Sequence, residues 1–294
     1  MVLMKFTLSF TVVFTCVICY LLAPNIVFDL KMVLVLFVAG MLVTGSASAI
    51  NQVVERDTDA QMKRTADRPV ASGRISPTTA SVFAGIVGVV GVFLMYYYFN
   101  LNSALLSAFS LFFYAFVYTP LKKVGSIAVL AGALPGGLPC LIGWVAGTDL
   151  VSPFSYIHVG DKEVSNLAGW VLFGIQFLWQ FPHFWAIAWV AHSDYSRVGF
   201  KLLPSDKGPT KFTAVQTVMY SVVMLPVCVV PYFLGLTGVV SLVIVVLANI
   251  FLITQCVRLY LQMDVKAARR VMFSSYIYLP VVFLALLADK IHFI

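Results

Sequence analysis

Along this chain, long apolar runs alternate with short polar ones. The runs cover 6–23, 32–52, 79–99, 104–119, 126–146, 167–190, 213–236, 238–257 and 271–288. Most have the roughly 17 to 25 residues a helix needs to cross hydrocarbon, and 104–119 reaches that length with its flanking turns. A closed β-barrel would instead alternate over short segments. The pattern therefore predicts an all-α integral membrane protein, one domain over 1–294 with nine transmembrane helices, eight and ten being the neighbouring counts. The first run lacks a small-residue cleavage site before Pro24, and the second follows almost at once. It reads as a helix rather than a removable signal peptide.

Composition strengthens this picture. The 294 residues are 61% hydrophobic and 11% charged, whereas a soluble domain carries about 25% charge. The charge is also one-sided. With nine spans, sixteen of the nineteen Lys and Arg fall on the side of the N-terminus, leaving only Lys31, Lys162 and Lys290 on the other. That places the N-terminus in the cytoplasm and the C-terminus across a bacterial inner membrane. Lipid headgroups or an anionic substrate account for the net charge of +7, so no nucleic-acid partner is implied. All five cysteines lie in or beside apolar runs. Cys16 and Cys19 form a CxxC within a predicted span and without a second pair, which points to packing rather than metal or redox chemistry.

The exception to the apolar pattern is "NQVVERDTDAQMKRTADRP", Asn51 to Pro69, with eight charged residues in nineteen. Asn51, Glu55 and Asp59 are spaced i, i+4, i+8, so a continuing helix puts them in one stripe and turns Asp57 away. Three oxygen-bearing side chains suit Mg²⁺, which takes oxygen ligands and fills its other positions with water and phosphate. From the acids alone, a helix end meeting headgroups would look the same. Lys63, Arg64 and Arg68 follow, however, and acids for a cation beside bases for anionic oxygens are the two halves of a diphosphate site. Arg74 reads as a positive-inside residue. In "YTPLKK", Tyr118 and Lys122 return to the same surface, Lys122 within reach of a phosphate.

A second polar cluster closes the sixth span: Asp194 beside His192 and Tyr195, then Arg197 and Lys201. Clusters at the inner ends of spans two and six suggest two related four-helix units with the ninth span appended. They would face each other across a central cavity open near the cytoplasmic surface. Inside the sixth span, His183 is either functional or bonded to a neighbouring helix, and Pro182 introduces a kink. The fifth span, "GALPGGLPCLIGW", implies close helix approach or a broken helix beside a cavity.

These residues resemble the UbiA-type intramembrane prenyltransferases, and within them the branch that farnesylates heme. The family's Asn-x-x-x-Asp-x-x-x-Asp element falls on Asn51, Glu55 and Asp59. The heme branch's extension of it is matched by "ERDTDAQMKRTADRP". "YTPLK" is an approximate match, and "GALPGGLPCLIGW", "WQFPHFWAIA" and "DYSRVGFKLLP" complete a likeness spanning 51 to 204. Two positions depart. Glu55 replaces the usual Asp and reaches one methylene farther. In the second cluster, many relatives that act on quinone precursors have Asp-x-x-x-Asp, where this chain has Ala191 and Tyr195 around a single Asp194.

The resemblance implies transfer of the farnesyl group of farnesyl diphosphate to a vinyl group of protoheme IX (heme B), with addition of water. Asn51, Glu55, Asp59 and Asp194 would hold Mg²⁺; Lys63, Arg64, Arg68 and Lys122 would hold the diphosphate. Tyr118 and Tyr195 would orient ligands or shield the allylic cation. His183 would line the heme pocket or contact its iron, and His192 or Arg197 would meet a propionate. Association with a downstream heme-modifying membrane enzyme is a further expectation, since a lipid-soluble heme is better handed over than released into water. The alternatives are a UbiA-type prenyltransferase acting on a quinone precursor, disfavoured by "MKRTADRP" and "PHFW", and a secondary transporter. A transporter's binding charges would sit near midplane, not at the inner surface.

Overall fold

The computed structural model describes residues 3–205 and 207–292. Its elements are α1 (Phe6–Leu22), α2 (Leu30–Val54), α3 (Arg56–Asp59), α4 (Pro77–Tyr98) and α5 (Leu101–Phe112). A π-helical turn (Phe113–Tyr118), α6 (Thr119–Leu121), α7 (Ile127–Thr148), strands β1 (Tyr156–Val159) and β2 (Lys162–Ser165), and α8 (Leu167–Val190) follow. The chain ends with α9 (His192–Arg197), α10 (Lys211–Phe233), α11 (Val239–Gln262) and α12 (Val265–Ala288). Among the described residues, eight helical segments are long and apolar enough to cross a membrane, α5 counting together with the turn and α6 as Leu101–Leu121. The 17-residue α1 is a shorter apolar helix. This is an integral membrane protein, nearly all helical, and the predicted runs lie on these elements.

Local chemistry sets the helix ends. Asp29 accepts from the backbone of Lys31 and Met32 to start α2. Ser76 caps α4 with Pro77 at its first position, Asn100 caps α5 and Asp264 caps α12. Each satisfies backbone donors that the turns below cannot reach. The exposed face of α4 runs through Val82, Ile86, Val89 and Phe93, a helical stripe that only hydrocarbon would solvate.

Helices in lipid gain little from excluding water, so they associate through close packing. α1, α2, α4, α5 and α7 follow one another, with α7 closing back on α1. α7, α8, α10, α11 and α12 do the same, α12 closing on α8 and touching α1. α7 remains helical despite Pro135 and Pro139, so the glycine-rich fifth span is a close-approach helix, not a broken one. A side chain at Gly143 would run into the Cys16 carbonyl of α1, and one at Gly132 into the Tyr118 ring. The cysteines are buried in this packing, Cys140 donating to Gln176 at 2.7 Å.

One element departs from the all-α expectation. β1 and β2 pair antiparallel, Ile157 opposite Val164 and Val159 opposite Lys162, around a turn in which Gly160 takes φ +58°. Ile157, Val159 and Val164 are buried, so the hairpin lids the bundle at the end away from the Asn51 cluster. Asn166 anchors it, accepting from Trp144 Nε1 at 2.7 Å and donating to the Leu150 and Ser152 carbonyls.

The two halves share one local device. α2 ends at Glu55 with φ −93°, ψ 9° and resumes as α3. α8 ends at Ala191 with φ −97°, ψ 17° and resumes as α9. The same backbone break follows spans two and six, as expected of two related units.

Candidate active site

The break at Glu55 does not scatter the oxygen stripe. Glu55 N–H still donates to the Asn51 carbonyl at 2.9 Å, and Asp59 N–H to the Glu55 carbonyl at 2.7 Å. Asn51, Glu55 and Asp59 are buried, whereas Asp57 is exposed and pairs only with Arg56. The helical spacing thus separates three inward oxygen-bearing groups from one outward acid.

Burying two carboxylates is costly unless they are paired, and each has a base. Arg68 Nη1 donates to both Asp59 carboxylate oxygens at 2.8 and 2.6 Å and lies 3.9 Å from Glu55 Oε2. Lys122 Nζ donates to Glu55 Oε1 at 2.7 Å. Lys5 Nζ donates to Asn51 Oδ1 at 3.1 Å, and Asn51 Nδ2 donates to Thr119 Oγ1 at 3.4 Å, which fixes the amide with its oxygen toward Lys5. Thr119 in turn donates to the Tyr114 carbonyl at 2.9 Å, across the π-helical turn. The extra residue in that turn is what aims "TPLKK" at the stripe.

Electrostatics follow from this crowding. Burial pushes the Lys5 ammonium down to about 7, and the nearby cations Arg68 and Lys122 add to the effect. Burial works against the Lys122 charge, but Glu55, Tyr114 and Tyr195 together outweigh it and hold Lys122 above its ordinary value. Lys122 lies 4.7 Å over the Tyr118 ring and 5.8 Å from that of Phe200, so aromatic faces support the cation where water is scarce.

The second cluster meets the first through Arg64. Arg64 Nη2 donates to the Tyr195 hydroxyl at 2.7 Å, with its guanidinium carbon 5.4 Å from the ring centre. Lys201 N–H donates to the Lys122 carbonyl at 3.0 Å, tying the loop after α9 to the loop after α6. The polar ends of spans two, four and six therefore form one rim.

Not every expected residue joins it in the same way. Asp194 is half-buried and makes no side-chain hydrogen bond or ion pair among the described residues. No three of the described His, Cys, Asp and Glu side chains stand together as a metal set, so Asp194 is not gathered with Glu55 and Asp59. Glu55 and Asp59 are instead paired with Lys122 and Arg68. Arg68 and Lys122, expected to hold the diphosphate, here neutralise carboxylates. Lys63 and Arg197 are exposed and, among the described residues, unpaired. Two carboxylates and an amide still fit Mg²⁺, which commonly takes one or two carboxylates and completes its shell with water and phosphate.

His192 lines a cavity of about 200 Å³ with Tyr195, Ser196, Lys201, Leu203 and Ser205. That is a pocket at the rim, smaller than a typical ligand site of about 300 to 1,000 Å³, not the large central cavity expected. His183 is buried in α8. Its Nδ1 lies 2.7 Å from Ser275 Oγ of α12, and its ring stacks 4.4 Å from Trp179. It thus bonds to a neighbouring helix. Sequence reasoning missed Lys5, Thr119 and Phe200. Lys5 had counted only toward charge asymmetry, and no periodicity connects it to Asn51, 46 positions away.

Comparison with known proteins bears on this rim. Residues 12–277 match the UbiA prenyltransferase family. A protoheme IX farnesyltransferase of Cytophaga hutchinsonii is 40% identical over 293 residues, 99% of this chain and 96% of the relative. Another, of Flavobacterium johnsoniae, is 38% identical over 97% of this chain and 92% of its own length. Among solved structures, a digeranylgeranylglyceryl phosphate synthase superposes with a TM-score of 0.78 at 20% identity, covering 98% of this chain and 96% of the other. A UbiA homolog from Archaeoglobus fulgidus bound to GPP and Mg²⁺ gives a TM-score of 0.64 at 13% identity, covering 97% and 98%. The structural likenesses carry the fold, and the sequence match runs from the first helix through the oxygen stripe to the last span. By the sequence match, the chain belongs to the UbiA prenyltransferase family.

Proposed function

We propose that the protein transfers the farnesyl group of farnesyl diphosphate to a vinyl group of protoheme IX, adding water and releasing heme O and diphosphate. The observation that carries the reading is the buried stripe Asn51–Glu55–Asp59 with a base on every member, at a rim joined across the two halves by Arg64 and Tyr195. Full-length relatives named protoheme IX farnesyltransferase support the acceptor.

Asn51, Glu55 and Asp59 would hold Mg²⁺, with Asp194 as a further carboxylate from the second half. The bound ion would supply Lewis-acid neutralisation of the diphosphate. Arg68, Lys122 and Arg64, with exposed Lys63, bind the anionic oxygens and stabilise the charge that grows on them as the allylic C–O bond breaks. The rings of Tyr118 and Tyr195 shield the farnesyl cation. The heme vinyl then attacks its C1, and water captures the resulting cation to give a hydroxyethylfarnesyl substituent. The lipid-facing grooves between helices accept the farnesyl tail. His192, in its rim cavity, or exposed Arg197 would meet the propionates. On this reading the basic rim faces the cytoplasm of a bacterial cell, and the product passes to a downstream heme-modifying membrane enzyme.

Purified protein given farnesyl diphosphate, Mg²⁺ and heme B should form a product heavier by one farnesyl and one water. Turnover of a quinone precursor and none of heme would overturn the assignment.

A further inference from the structure

The amide of Asn51 differs from the two carboxylates of the stripe in one respect. Either oxygen of a carboxylate can take a cation, whereas a primary amide has the same shape both ways round and only its oxygen has lone pairs to give. Turned over, Asn51 would present an NH₂ group to the ion. Which way it faces is set by its hydrogen-bond partners.

Two partners on separate elements impose the same orientation. The Thr119 hydroxyl, on a residue 3% exposed, commits its proton to the Tyr114 carbonyl at 2.9 Å. That carbonyl also receives the Thr119 N–H. In a regular α-helix it would receive the N–H of Tyr118; the wider π-helical turn hands it to Thr119. With its proton committed, the hydroxyl can only accept, so the Asn51 atom 3.4 Å away must be the donor Nδ2. On the other side of the amide, the Lys5 ammonium is a donor alone, so the atom 3.1 Å from it must be Oδ1. Lys5 is itself held by the residue beside Asn51. Gln52 Nε2 donates to the carbonyl of buried Leu3 at 2.8 Å, and Lys5 takes a left-handed φ of 47° where the segment turns into α1. A carbonyl oxygen has two lone pairs, and Lys5 uses one. The other is left for a cation shared with Glu55 and Asp59, which follow on the next turns.

We propose that Thr119 is a positioning residue for the metal, acting through Asn51: its hydroxyl selects the amide orientation in which Oδ1 joins Glu55 and Asp59 as a ligand. This rests on the reading above that the stripe holds Mg²⁺, and not on the identity of the prenyl acceptor. The π-helical turn then has a second task beside aiming Lys122, since it delivers the orienting hydroxyl with its proton already engaged.

Mn²⁺ is a spectroscopic probe for such a site because it accepts the same oxygen ligands. The EPR signal of the free ion reports how much the full-length protein in micelles takes up beside an unreactive farnesyl diphosphate analogue. Thr119→Val, which keeps the shape and deletes the hydroxyl, should weaken Mn²⁺ binding about 10- to 100-fold, and Thr119→Ser should restore it. The decisive background is Asn51→Asp, whose carboxylate carries oxygen at both ends and has no wrong orientation. There, adding Thr119→Val should change Mn²⁺ affinity by less than about threefold. An equal loss in both backgrounds would show Thr119 acting on packing and overturn the positioning role, as would a Thr119→Val protein that binds Mn²⁺ like wild type. A wild type that takes up no Mn²⁺ with the analogue present would overturn the metal reading itself, and the positioning role with it.

Discussion

Lys122 is the group whose removal should reveal how the site is held together. Its ammonium lies 2.7 Å from Glu55 Oε1, the two side chains being 11% and 6% exposed. Lys122→Met keeps the length of the stem and deletes the charge, leaving Glu55 buried with a single cation, Arg68, at 3.9 Å. Removing one partner of a buried pair costs about 3 to 5 kcal/mol, chiefly because the other charge is left uncompensated. Arg68 takes up part of that charge, so the lower end, about 3 kcal/mol, is expected. Adding Glu55→Gln removes the orphaned charge and should recover on the order of 2 kcal/mol, a coupling typical of contacting residues. Equilibrium unfolding in mixed micelles of wild type, both single variants and the double variant measures the cycle. Additive losses, with coupling below about 0.5 kcal/mol, would refute the claim that Lys122 serves Glu55. Farnesyl transfer should stay low in the double variant, because restored folding returns neither the carboxylate nor the base.

Three further outcomes separate the parts of the site. Asp59→Ala removes a stripe oxygen and frees Arg68, and should cut turnover at least about 100-fold while the protein still inserts and purifies; near wild-type turnover would remove Asp59 from the metal role. Tyr195→Phe keeps the ring under Arg64 but deletes the hydroxyl it bonds at 2.7 Å. KM for the diphosphate substrate should rise by about 3- to 10-fold with little change in kcat, and steady-state kinetics that show the reverse split would contradict a binding role. Gly143→Val drives a side chain into the Cys16 carbonyl and should destabilise by about 1 to 3 kcal/mol or more, read by unfolding in micelles; an unchanged midpoint would mean that α1 and α7 are not in this contact.

The spans were legible because lipid imposes length and apolarity on every crossing helix; the caps at Asp29, Ser76, Asn100 and Asp264 went unread, although each is a residue type that favours helix starts. The stripe was legible because i, i+4, i+8 spacing survives the break at Glu55. The break itself was not, since nothing in "VVERDT" interrupts helical propensity. The hairpin left a signal, alternation in "YIHV" and "KEVS" around Gly160, that is easily lost between two long apolar runs. Pairing across the bundle was beyond reach. That Lys122 would lie on Glu55, Lys5 on Asn51 and Ser275 under His183 depends on contacts 46 to 92 positions apart, and no local period encodes these. The π-helical turn at Phe113–Tyr118 belongs to the same class: it realigns "YTPLKK" for a tertiary reason.

The occupied stripe has a thermodynamic consequence for how substrates arrive. A divalent cation alone must displace Lys122 or Arg68 from its carboxylate and leave that base without a counter-ion. A diphosphate alone must draw the same bases away and strand two buried carboxylates. Arriving together, the ion and the diphosphate exchange partners with the protein and leave no charge orphaned. The two affinities should therefore be coupled, each ligand tightening the other by the same factor. Titration calorimetry should register little binding of Mg²⁺ alone and strong binding once a non-hydrolysable prenyl diphosphate is present; equal affinity in both cases would mean that the bases do not move. A site built this way would stay closed to stray metal and stray phosphate, and would open to the pair that the proposed reaction requires.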